Sequence, residues 1–379
     1  MIATRINEIK SFIVMDVLEK AHEIERNGED VIHLEVGEPD FNTPECIKEA
    51  AIKALKDNYT HYTHSLGLLE LRETVCEHYF DTYGVTIDPD QVVVTSGTSP
   101  AIFLIFSTLL DRGDQVIISD PHYACYPNFI KFADGKVVTV SVYEEDGFQY
   151  RPEEIEKKIT KNTKAIIINS PSNPTGNLLS ENRIKEISKF SPYIVSDEIY
   201  HGLVYEGQEH CILEFTNNAF VLNGFSKLHA MTGLRLGYLI APKEFIRPIQ
   251  ILQQNFFICA NAMVQAAGIA ALKHAKNDIL LMKNIYNERR KIMIRRLKEL
   301  GFGITVEPTG AFYVFANAKK ILRDSYKLAF DILEKAHVGV TPGIDFGKNG
   351  EGYLRFCYAN SIENIKEGMD RIEKYLRDR

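Results

Sequence analysis

The sequence predicts an α/β protein in which a large three-layer domain, built on a mainly parallel sheet, is joined to a smaller α+β domain. Three observations favour this fold class. Short apolar runs rich in β-branched residues alternate with helical patterns between residues 91 and 241. The chain has 379 residues, more than a single growing core usually contains. After about residue 275 the pattern changes to a long charged helix followed by isolated strands.

The strand candidates of the large domain are short apolar runs. They are QVVVT (91–95), QVIIS (115–119), KVVTVSV (136–142), KAIIIN (164–169), YIVSD (193–197), AFVLN (219–223) and GYLIA (237–241). The helical patterns that separate them include AIFLIFSTLL (101–110), PEEIEKKI (152–159) and ENRIKEISKF (181–190). Apolar strands separated by helices are typical of a parallel sheet that is covered on both faces. Such a sheet binds its ligand at the carboxyl ends of its strands.

The domain limits follow from the change of pattern. We expect residues 45–275 to form the large domain and residues 276–379 the small one, with residues 1–44 joining the small domain. The C-terminal part contains one long charged helix pattern and two strand candidates, GAFYVFAN and GYLRFCYA. No linker rich in Pro, Gly or Ser marks the boundary. Functional residues are expected between the two domains.

Charge and apolar content exclude several function classes. The 51 acidic residues outnumber the 44 Lys and Arg residues and give a formal net charge of −7, without any dense basic block. Capture of nucleic acid or of an anionic membrane is therefore not expected. The apolar stretch SFIVMDVL (11–18) is too short to span a bilayer and is interrupted by Asp16. We expect a small-molecule partner and no membrane segment.

The cysteines indicate the compartment. No CxxC pair occurs among the six, which are Cys46, Cys76, Cys125, Cys211, Cys259 and Cys357. Scattered cysteines fit the reduced thiols of a cytoplasmic enzyme better than a disulfide framework or a zinc site. The N-terminal region also lacks the pattern of a signal peptide. His61 and His64 have a spacing that suits a metal on one helical face, but no acidic partner motif accompanies them, so no metal is expected.

Hydroxyl residues and a glycine follow the first strand of the predicted sheet. QVVVT runs into Ser96, Gly97, Thr98, Ser99 and Pro100, where the next helix pattern begins. Exposed N–H groups at the positive end of a helix bind phosphate. The alternative is a plain helix N-cap, a position that Ser and Thr favour. No GxGxxG or GxxxxGK motif assigns the phosphate to a dinucleotide or a nucleoside triphosphate.

Three further polar residues stand where strands or turns end. Asp197 closes YIVSD and Tyr200 follows it, while Asn173 lies in the Pro-rich stretch SPSNPTG (170–176). Taken alone, Asp197 is more typical of a turn or a helix cap, and Asn173 of a Pro-rich turn. Lys227 follows the apolar run AFVL and precedes small residues that allow close packing. A lysine is usually a solvated surface group, but this context favours a chemical role.

Taken together, the motifs of this chain resemble those of the class I/II aminotransferases, which are fold-type I enzymes that depend on pyridoxal 5'-phosphate. The resemblance rests on EVGEPDF (35–41), YTHSLGLLELRE (62–73), SGTSPA (96–101), DPHYACY (120–126), SPSNPTG (170–176), SDEIY (196–200), FSKLHAMTGLRLGY (225–238) and YLRF (353–356). These motifs extend from near the N-terminus to the last strand candidate and follow the family's order. Each is weak alone, but the joint match is specific.

The resemblance implies a role in cofactor binding for each matching residue. Lys227 is expected to form the Schiff base and to move a proton between the substrate α-carbon and the cofactor. Asp197 is expected to pair with the pyridinium nitrogen, which makes the ring an electron sink. Asn173 and Tyr200 are expected to contact the phenolic oxygen of the cofactor, and Tyr123 its ring face. The cofactor phosphate is expected to contact Gly97, Thr98, Ser99, Ser226 and Arg235.

The resemblance also implies the substrate contacts and the assembly. Arg355 is expected to bind the substrate α-carboxylate through a two-pronged bond, with a structural ion pair as the alternative. Gly37 is expected to allow the N-terminal segment to approach the substrate, which Asn173 and Tyr123 also contact. Tyr62 is expected to reach the cofactor phosphate of the other subunit in a symmetric homodimer.

The activity that this family suggests is transfer of an α-amino group from an L-amino acid to a 2-oxo acid. Tyr123 stands where aspartate-specific members have Trp, and position 224 is Gly where several have Ser, so strict aspartate specificity is not expected. The donor stays open among aspartate, aromatic and alanine types. The alternative within the fold is a cystathionine-cleaving C–S lyase. A cofactor-binding transcriptional regulator would need a DNA-binding domain, for which this sequence has no room.

Overall fold

The fold is that of a three-layer α/β domain joined to a smaller α+β unit, in a computed structural model that describes residues 2–378. The large sheet has seven strands, β2 Val92–Thr95, β3 Gln115–Asp120, β4 Lys136–Ser141, β5 Thr163–Asn169, β6 Tyr193–Asp197, β7 Ala219–Gly224 and β8 Gly237–Ile240. Their order across the sheet is β2-β8-β7-β6-β5-β3-β4. β8 runs antiparallel to both of its neighbours, β2 and β7, and every other pair in this sheet is parallel, so the predicted mainly parallel sheet is confirmed.

The helices occupy both faces of this sheet and the small unit. They are α1 Ile13–Arg26, α2 Glu45–Lys56, α3 Leu69–Tyr83, α4 Thr98–Leu109, α5 Tyr126–Phe132, α6 Pro152–Glu156, α7 Glu181–Ile187, α8 Lys243–Phe256, α9 Ala262–His274, α10 Lys276–Glu299, α11 Ser325–Ala336 and α12 Ile362–Arg377. Short 3-10 helices cover Thr4–Glu8, Pro89–Gln91, Glu144–Asp146, Ile212–Glu214, Gly343–Phe346 and Lys348–Gly350. The predicted helices at 152–159 and 181–190 are therefore shorter than expected.

Alternate residues of each central strand enter different cores, which explains why the strands are apolar throughout. Along β5, Ile166 and Ile168 pack in the cluster that contains residues of α3 and α9. Ala165 and Ile167 pack in the cluster on the other face, with residues of α4 and α8. Burial on both faces is the property that distinguishes a covered parallel sheet from an antiparallel sheet with one wet face.

The small unit is built on a three-stranded antiparallel sheet. Its strands are β9 Tyr313–Asn317, β11 Thr341–Pro342 and β12 Tyr353–Cys357, in the order β11-β12-β9. The strand β1 Ile32–His33 pairs in parallel with β10 Val338–Gly339 and thereby brings the N-terminal segment to this unit. The pairing agrees with a joining role for residues 1–44, although the domain limits at 44/45 and 275/276 stay predictions.

The N-terminal segment is held at the edge of the large sheet by hydrogen bonds. Asp345 accepts hydrogen bonds from the backbone N–H groups of Ile13 and Val14, at 3.0 and 3.3 Å, and so satisfies the free N-terminus of α1. Asn349 donates its backbone N–H to Asp120 Oδ1 at 2.9 Å, at the end of β3. One short segment therefore connects the start of α1 to the carboxyl edge of the sheet.

No helix within residues 2–378 has both the length and the apolar content needed to cross a membrane.

Candidate active site

A cavity of about 200 Å³ opens at the carboxyl ends of the central strands, where the N-terminal segment, the large sheet and the small unit meet. Its walls are formed by Phe12, Val14, Met15, Val36, Gly37, Thr98, Ser99, Ile102, Tyr123, Asn169, Asn173, Asp197, Ile199, Tyr200, Lys227, Tyr313 and Arg355. Nine residues selected from the sequence are among them. A larger groove of about 630 Å³ lies beside α11 and α12 and is lined mainly by surface charges, without any of the selected residues.

Lys227 lies in the loop after β7 and reaches into the cavity. Its Nζ donates a hydrogen bond to the backbone oxygen of Gly37 at 2.7 Å. Burial lowers the pKa of the Lys227 amine to about 8, because desolvation disfavours the ammonium form. The charges of Cys357 and Glu38 oppose this fall in the pKa, and smaller effects of Arg355 and Arg235 add to it. A neutral amine is therefore accessible at mildly alkaline pH, which a nucleophilic lysine needs.

Asp197 ends strand β6 on another wall of the cavity and is buried. Its Oδ2 accepts a hydrogen bond from the Tyr126 hydroxyl at 2.6 Å, and its Oδ1 accepts one from the backbone N–H of Ile199 at 3.2 Å. Both donors are uncharged. Burial raises the pKa of the Asp197 carboxyl, although these hydrogen bonds oppose the rise. A cationic group beside this carboxylate would be strongly favoured.

The start of α4 forms a site for an anion. Gly97 occupies the N-cap position with φ of 95°, and no side chain caps the helix. Ser96, Thr98 and Ser99 therefore do not cap this helix with their side chains, which was the alternative interpretation. A Cβ at position 97 would lie 2.5 Å from Arg235 Nη2, so the absence of a side chain lets the guanidinium approach the helix terminus. N-terminal amides and a guanidinium together favour a phosphate.

Neither Ser226 nor Arg235 lines the cavity, and Arg235 is the one that approaches the start of α4. Ser226 is buried next to Lys227. Arg235 has φ of 56° and donates from Nη1 to the backbone oxygen of Thr232 at 2.9 Å. The structure therefore brings Arg235 to Gly97, eight residues after the lysine in sequence.

Arg355 on β12 closes the cavity from the small unit and is only 2% exposed. Its Nη1 donates to Asn173 Oδ1 at 2.9 Å, and its Nη2 donates to the backbone oxygen of Glu35 at 2.5 Å. Its Nε has no hydrogen-bond partner. These acceptors are uncharged oxygens, so the contacts do not form the structural ion pair that was the alternative. A buried guanidinium with free donor capacity suits a carboxylate ligand.

Two tyrosines that the sequence did not single out complete the site. Tyr126 is the hydroxyl donor to Asp197. Tyr313 places its hydroxyl 2.8 Å from that of Tyr200 and its ring 4.5 Å from the Arg355 guanidinium carbon. Tyr313 lies in the strand candidate GAFYVFAN, and Tyr126 ends the motif DPHYACY, in which the sequence assigned a role to Tyr123 alone. In the strand candidate, no local signal distinguishes Tyr313 from a packing residue.

Gly37 and Tyr123 also stand at the cavity. A Cβ at Gly37 would lie 2.8 Å from Cζ of Tyr313, so only glycine allows this close approach. The Tyr123 ring makes an edge contact with Phe12, with ring centroids 6.0 Å apart. Its position on the wall is compatible with contact to a bound ring.

Tyr62, like Gly97, Ser226 and Arg235, is a selected residue that does not line the cavity. It is 79% exposed and lies in a segment without helical structure between α2 and α3. His61 and His64 are exposed in the same segment, so they do not share a helical face. Among residues 2–378, no group of three His, Cys, Asp or Glu side chains is arranged to hold a metal ion.

Comparison with known proteins identifies relatives over almost the whole chain. The family model for aminotransferase class I and II matches residues 29–372. The chain is 44% identical to the (5-formylfuran-3-yl)methyl phosphate transaminase of Methanocaldococcus jannaschii, over 99% of this chain and 100% of that protein. It is also 44% identical to the aspartate aminotransferase of Pyrococcus horikoshii, over 99% of this chain and 97% of that protein.

A solved structure agrees with these sequence relatives. The aspartate aminotransferase from Thermus thermophilus with maleate matches with a TM-score of 0.95 at 35% identity, and the match covers 99% of each chain. Because these relatives are all named as aminotransferases, the C–S lyase alternative is not favoured. The chain belongs to the aminotransferase class I and II family and is an enzyme that transfers nitrogenous groups.

Proposed function

We propose that the protein uses pyridoxal 5'-phosphate to move the α-amino group of an L-amino acid to a 2-oxo acid such as 2-oxoglutarate, in two half-reactions at one site. The observation that carries this proposal is the meeting of Lys227, the buried Asp197 and the uncapped start of α4 around one cavity. An amine, an acid without a cationic donor and an anion site match the aldehyde, pyridine nitrogen and phosphate of this cofactor.

The residues that would hold the cofactor divide by the group that they bind. Asp197 would bind the pyridine nitrogen, Asn173 and Tyr200 would bind the phenolic oxygen, and Tyr123 would lie against the ring face. The phosphate would be bound by Gly97, Thr98, Ser99, Ser226 and Arg235. When bound, the cofactor supplies an electron sink that stabilises negative charge at the substrate α-carbon. Asp197 sustains this property, because its buried carboxylate favours a protonated pyridine nitrogen.

Lys227 is the residue proposed to hold the cofactor aldehyde and to move the substrate proton. Its lowered pKa makes the neutral amine accessible near pH 8. The neutral amine can accept the proton of the substrate α-carbon, and the resulting ammonium group can donate that proton to the cofactor. The hydrogen bond to the Gly37 oxygen holds the amine on the substrate side of the cavity.

Arg355 and Gly37 are proposed to orient the substrate. The free Nε and the planar guanidinium of Arg355 suit the α-carboxylate, which would be bound by two parallel hydrogen bonds. Glycine at position 37 keeps the N-terminal segment close to the substrate. Orientation matters because the bond to the α-hydrogen must lie near the lysine for proton transfer.

The substrate side chain is proposed to be apolar. Phe12, Val14, Met15, Val36 and Ile102 contribute apolar surface to the cavity. Lys227 and Arg355 are the cationic side chains on its walls among the described residues, and both already have roles. A distal carboxylate would therefore lack a dedicated cation within the chain, whereas an aromatic or aliphatic side chain would bury apolar area.

A homodimer with shared sites is proposed from the surface around Tyr62. Large apolar side chains are exposed near this residue, including Tyr59, Phe256 and Ile258. The backbone N–H of Thr63 contacts Cys259 Sγ at 3.4 Å, so the two exposed stretches form one patch. Exposed apolar patches of this kind mark association surfaces. A cytoplasmic location is proposed because all six cysteines are free thiols.

The first prediction concerns the amine of Lys227 in the cofactor-free protein. Because burial lowers its pKa, the folded chain loses this proton near pH 8, whereas the unfolded chain keeps it until about pH 10.5. Stability of the cofactor-free protein therefore gains from this group as the pH rises through 8. Acylation by acetic anhydride, read by peptide mass spectrometry, should reach half its maximal rate at Lys227 near pH 8.

Lys53 is the internal control for this labelling. A hydrogen bond and the charge of Asp57 raise its pKa, so its labelling should increase at higher pH than that of Lys227. Identical pH profiles for the two lysines would contradict the assignment of a desolvated amine at position 227.

The second prediction tests the carboxylate clamp. Arg355→Lys keeps the charge but loses the two-pronged bond, so kcat/KM should fall at least about a hundredfold, or about 2.7 kcal/mol of transition-state stabilisation. Steady-state kinetics with a saturating 2-oxo acid measure this loss. Arg295→Lys, at an exposed position of α10, is the matched control and should leave kcat/KM unchanged. Normal transamination by Arg355→Lys would place the clamp elsewhere.

The third prediction tests the apolar wall with a panel of amino donors and 2-oxoglutarate as acceptor. kcat/KM should be at least about tenfold higher for L-phenylalanine or L-leucine than for L-aspartate. Phe12→Ala should lower the value for L-phenylalanine about tenfold, because it removes apolar contact, while Phe80→Ala on the exposed face of α3 should not. A preference for L-aspartate in the unmodified enzyme would refute the proposed donor class.

The fourth prediction tests the shared site by complementation. Tyr62→Ala and Lys227→Ala homodimers are each expected to be strongly impaired. A mixed dimer contains one site with an intact Lys227 from one chain and an intact Tyr62 from the other, so activity should return after subunit exchange. Verified mixed dimers that stay inactive would show that Tyr62 acts within its own subunit.

A further inference from the structure

Tyr313 contacts three functional parts of the cavity at once. It lies on β9, is 1% exposed and forms part of the cavity wall. Its hydroxyl is 2.8 Å from that of Tyr200, and its ring lies 4.5 Å from the guanidinium carbon of Arg355. The ring also occupies the space that a side chain at Gly37 would need. One side chain thus joins the proposed cofactor end of the site to the proposed carboxylate end.

Either hydroxyl of this pair can donate to the other, so a ligand that needs a proton from Tyr200 would select the direction. Burial raises the pKa of Tyr200 well above its ordinary value and that of Tyr313 to about 12, so both hydroxyls are neutral near pH 7. Each then has one proton to donate. If Tyr200 donated to Tyr313, it would have no proton left for a ligand. Donation from Tyr313 to Tyr200 leaves the Tyr200 proton free to point into the cavity.

We propose that Tyr313 is a positioning residue that directs the Tyr200 proton toward the cofactor phenolic oxygen and supports the Arg355 guanidinium with its ring. This inference rests on the proposed function, since it assumes that the cofactor binds at Lys227 and Asp197. The hydroxyl acts through Tyr200, because a hydroxyl that accepts a hydrogen bond becomes a stronger donor. The ring acts through Arg355, because a guanidinium over an aromatic face is attracted to it.

Two substitutions distinguish the function of the Tyr313 hydroxyl from that of its ring. Tyr313→Phe removes the hydroxyl but keeps the ring beneath Arg355 and against Gly37. Tyr313→Leu removes both the hydroxyl and the aromatic face. The phenylalanine variant should therefore lower kcat about three- to tenfold with little change in KM for the amino acid. The leucine variant should in addition raise that KM about tenfold.

A spectroscopic readout distinguishes positioning from general packing. With the cofactor bound at Lys227, a hydrogen bond from Tyr200 to its phenolic oxygen would reduce the negative charge that favours a protonated nitrogen nearby. Weakening this bond makes the nitrogen retain its proton to higher pH. The pH midpoint of the visible absorbance of bound cofactor should rise by about half a unit in Tyr313→Phe and by more in Tyr200→Phe.

The deciding experiment is the double variant Tyr200→Phe/Tyr313→Phe. If Tyr313 acts through Tyr200, the double variant should have the midpoint of Tyr200→Phe alone. Tyr150→Phe is the matched control, because it removes a buried hydroxyl that donates to the Ile167 oxygen at 3.0 Å away from the cavity. This control should leave the midpoint unchanged.

Two results would overturn the inference. An unchanged midpoint in Tyr313→Phe, or a further shift of full size in the double variant, would mean that Tyr313 does not act through Tyr200. A protein that binds no pyridoxal 5'-phosphate in titration of the unmodified chain would instead refute the proposed function itself. The two failures are therefore distinguishable.

Discussion

The desolvation of charged groups around one cavity is the constraint on which the functional part of this structure depends. Lys227, Asp197 and Arg355 all line the cavity, and burial shifts the pKa of the first two toward their neutral forms. Removing such charges from water is costly unless partners compensate for the lost hydration. The partners in the chain are mainly neutral oxygens and hydroxyls. The site therefore retains capacity for the complementary charges of a ligand.

The architecture supplies these partners from distant parts of the sequence. The carboxyl ends of the parallel strands provide Asp197 and the loop that carries Lys227, as expected for a ligand site on such a sheet. The last strand of the small unit provides Arg355, and the N-terminal segment provides the oxygens of Gly37 and Glu35. The hydrogen bond of Lys227 to the Gly37 oxygen and that of Arg355 to Asn173 both join the large sheet to other parts of the chain.

Much of this arrangement could be predicted from the sequence, because strands buried on both faces have a recognisable composition. The seven strands of the large sheet and the long helix α10 coincide with predicted elements within a few residues. The reversed direction of β8 was not foreseen, because an apolar run contains no information about strand direction. The uncapped start of α4 also required coordinates, since Ser and Thr at that point are typical of a cap.

The candidate site was predicted less completely. Lys227, Asp197 and Arg355 stand in motifs that resemble a known family, and the fold brings them to one cavity. Tyr313 was missed, because an aromatic residue in an apolar strand reads as core until its hydroxyl partner is known. Tyr126 was missed although it ends the motif DPHYACY, because its contact with Asp197 joins residues 71 positions apart. Tyr62 is exposed in the single chain, so its proposed role depends on a second subunit.

The most direct test of the central claim is covalent fixation of the cofactor in the unmodified protein. Cofactor-free protein would be titrated with pyridoxal 5'-phosphate, reduced with borohydride and analysed by peptide mass spectrometry. Our account predicts one cofactor for each chain, attached at Lys227, because that amine is the desolvated one that faces the cavity. Attachment spread over surface lysines, with Lys227 unmodified, would contradict the account.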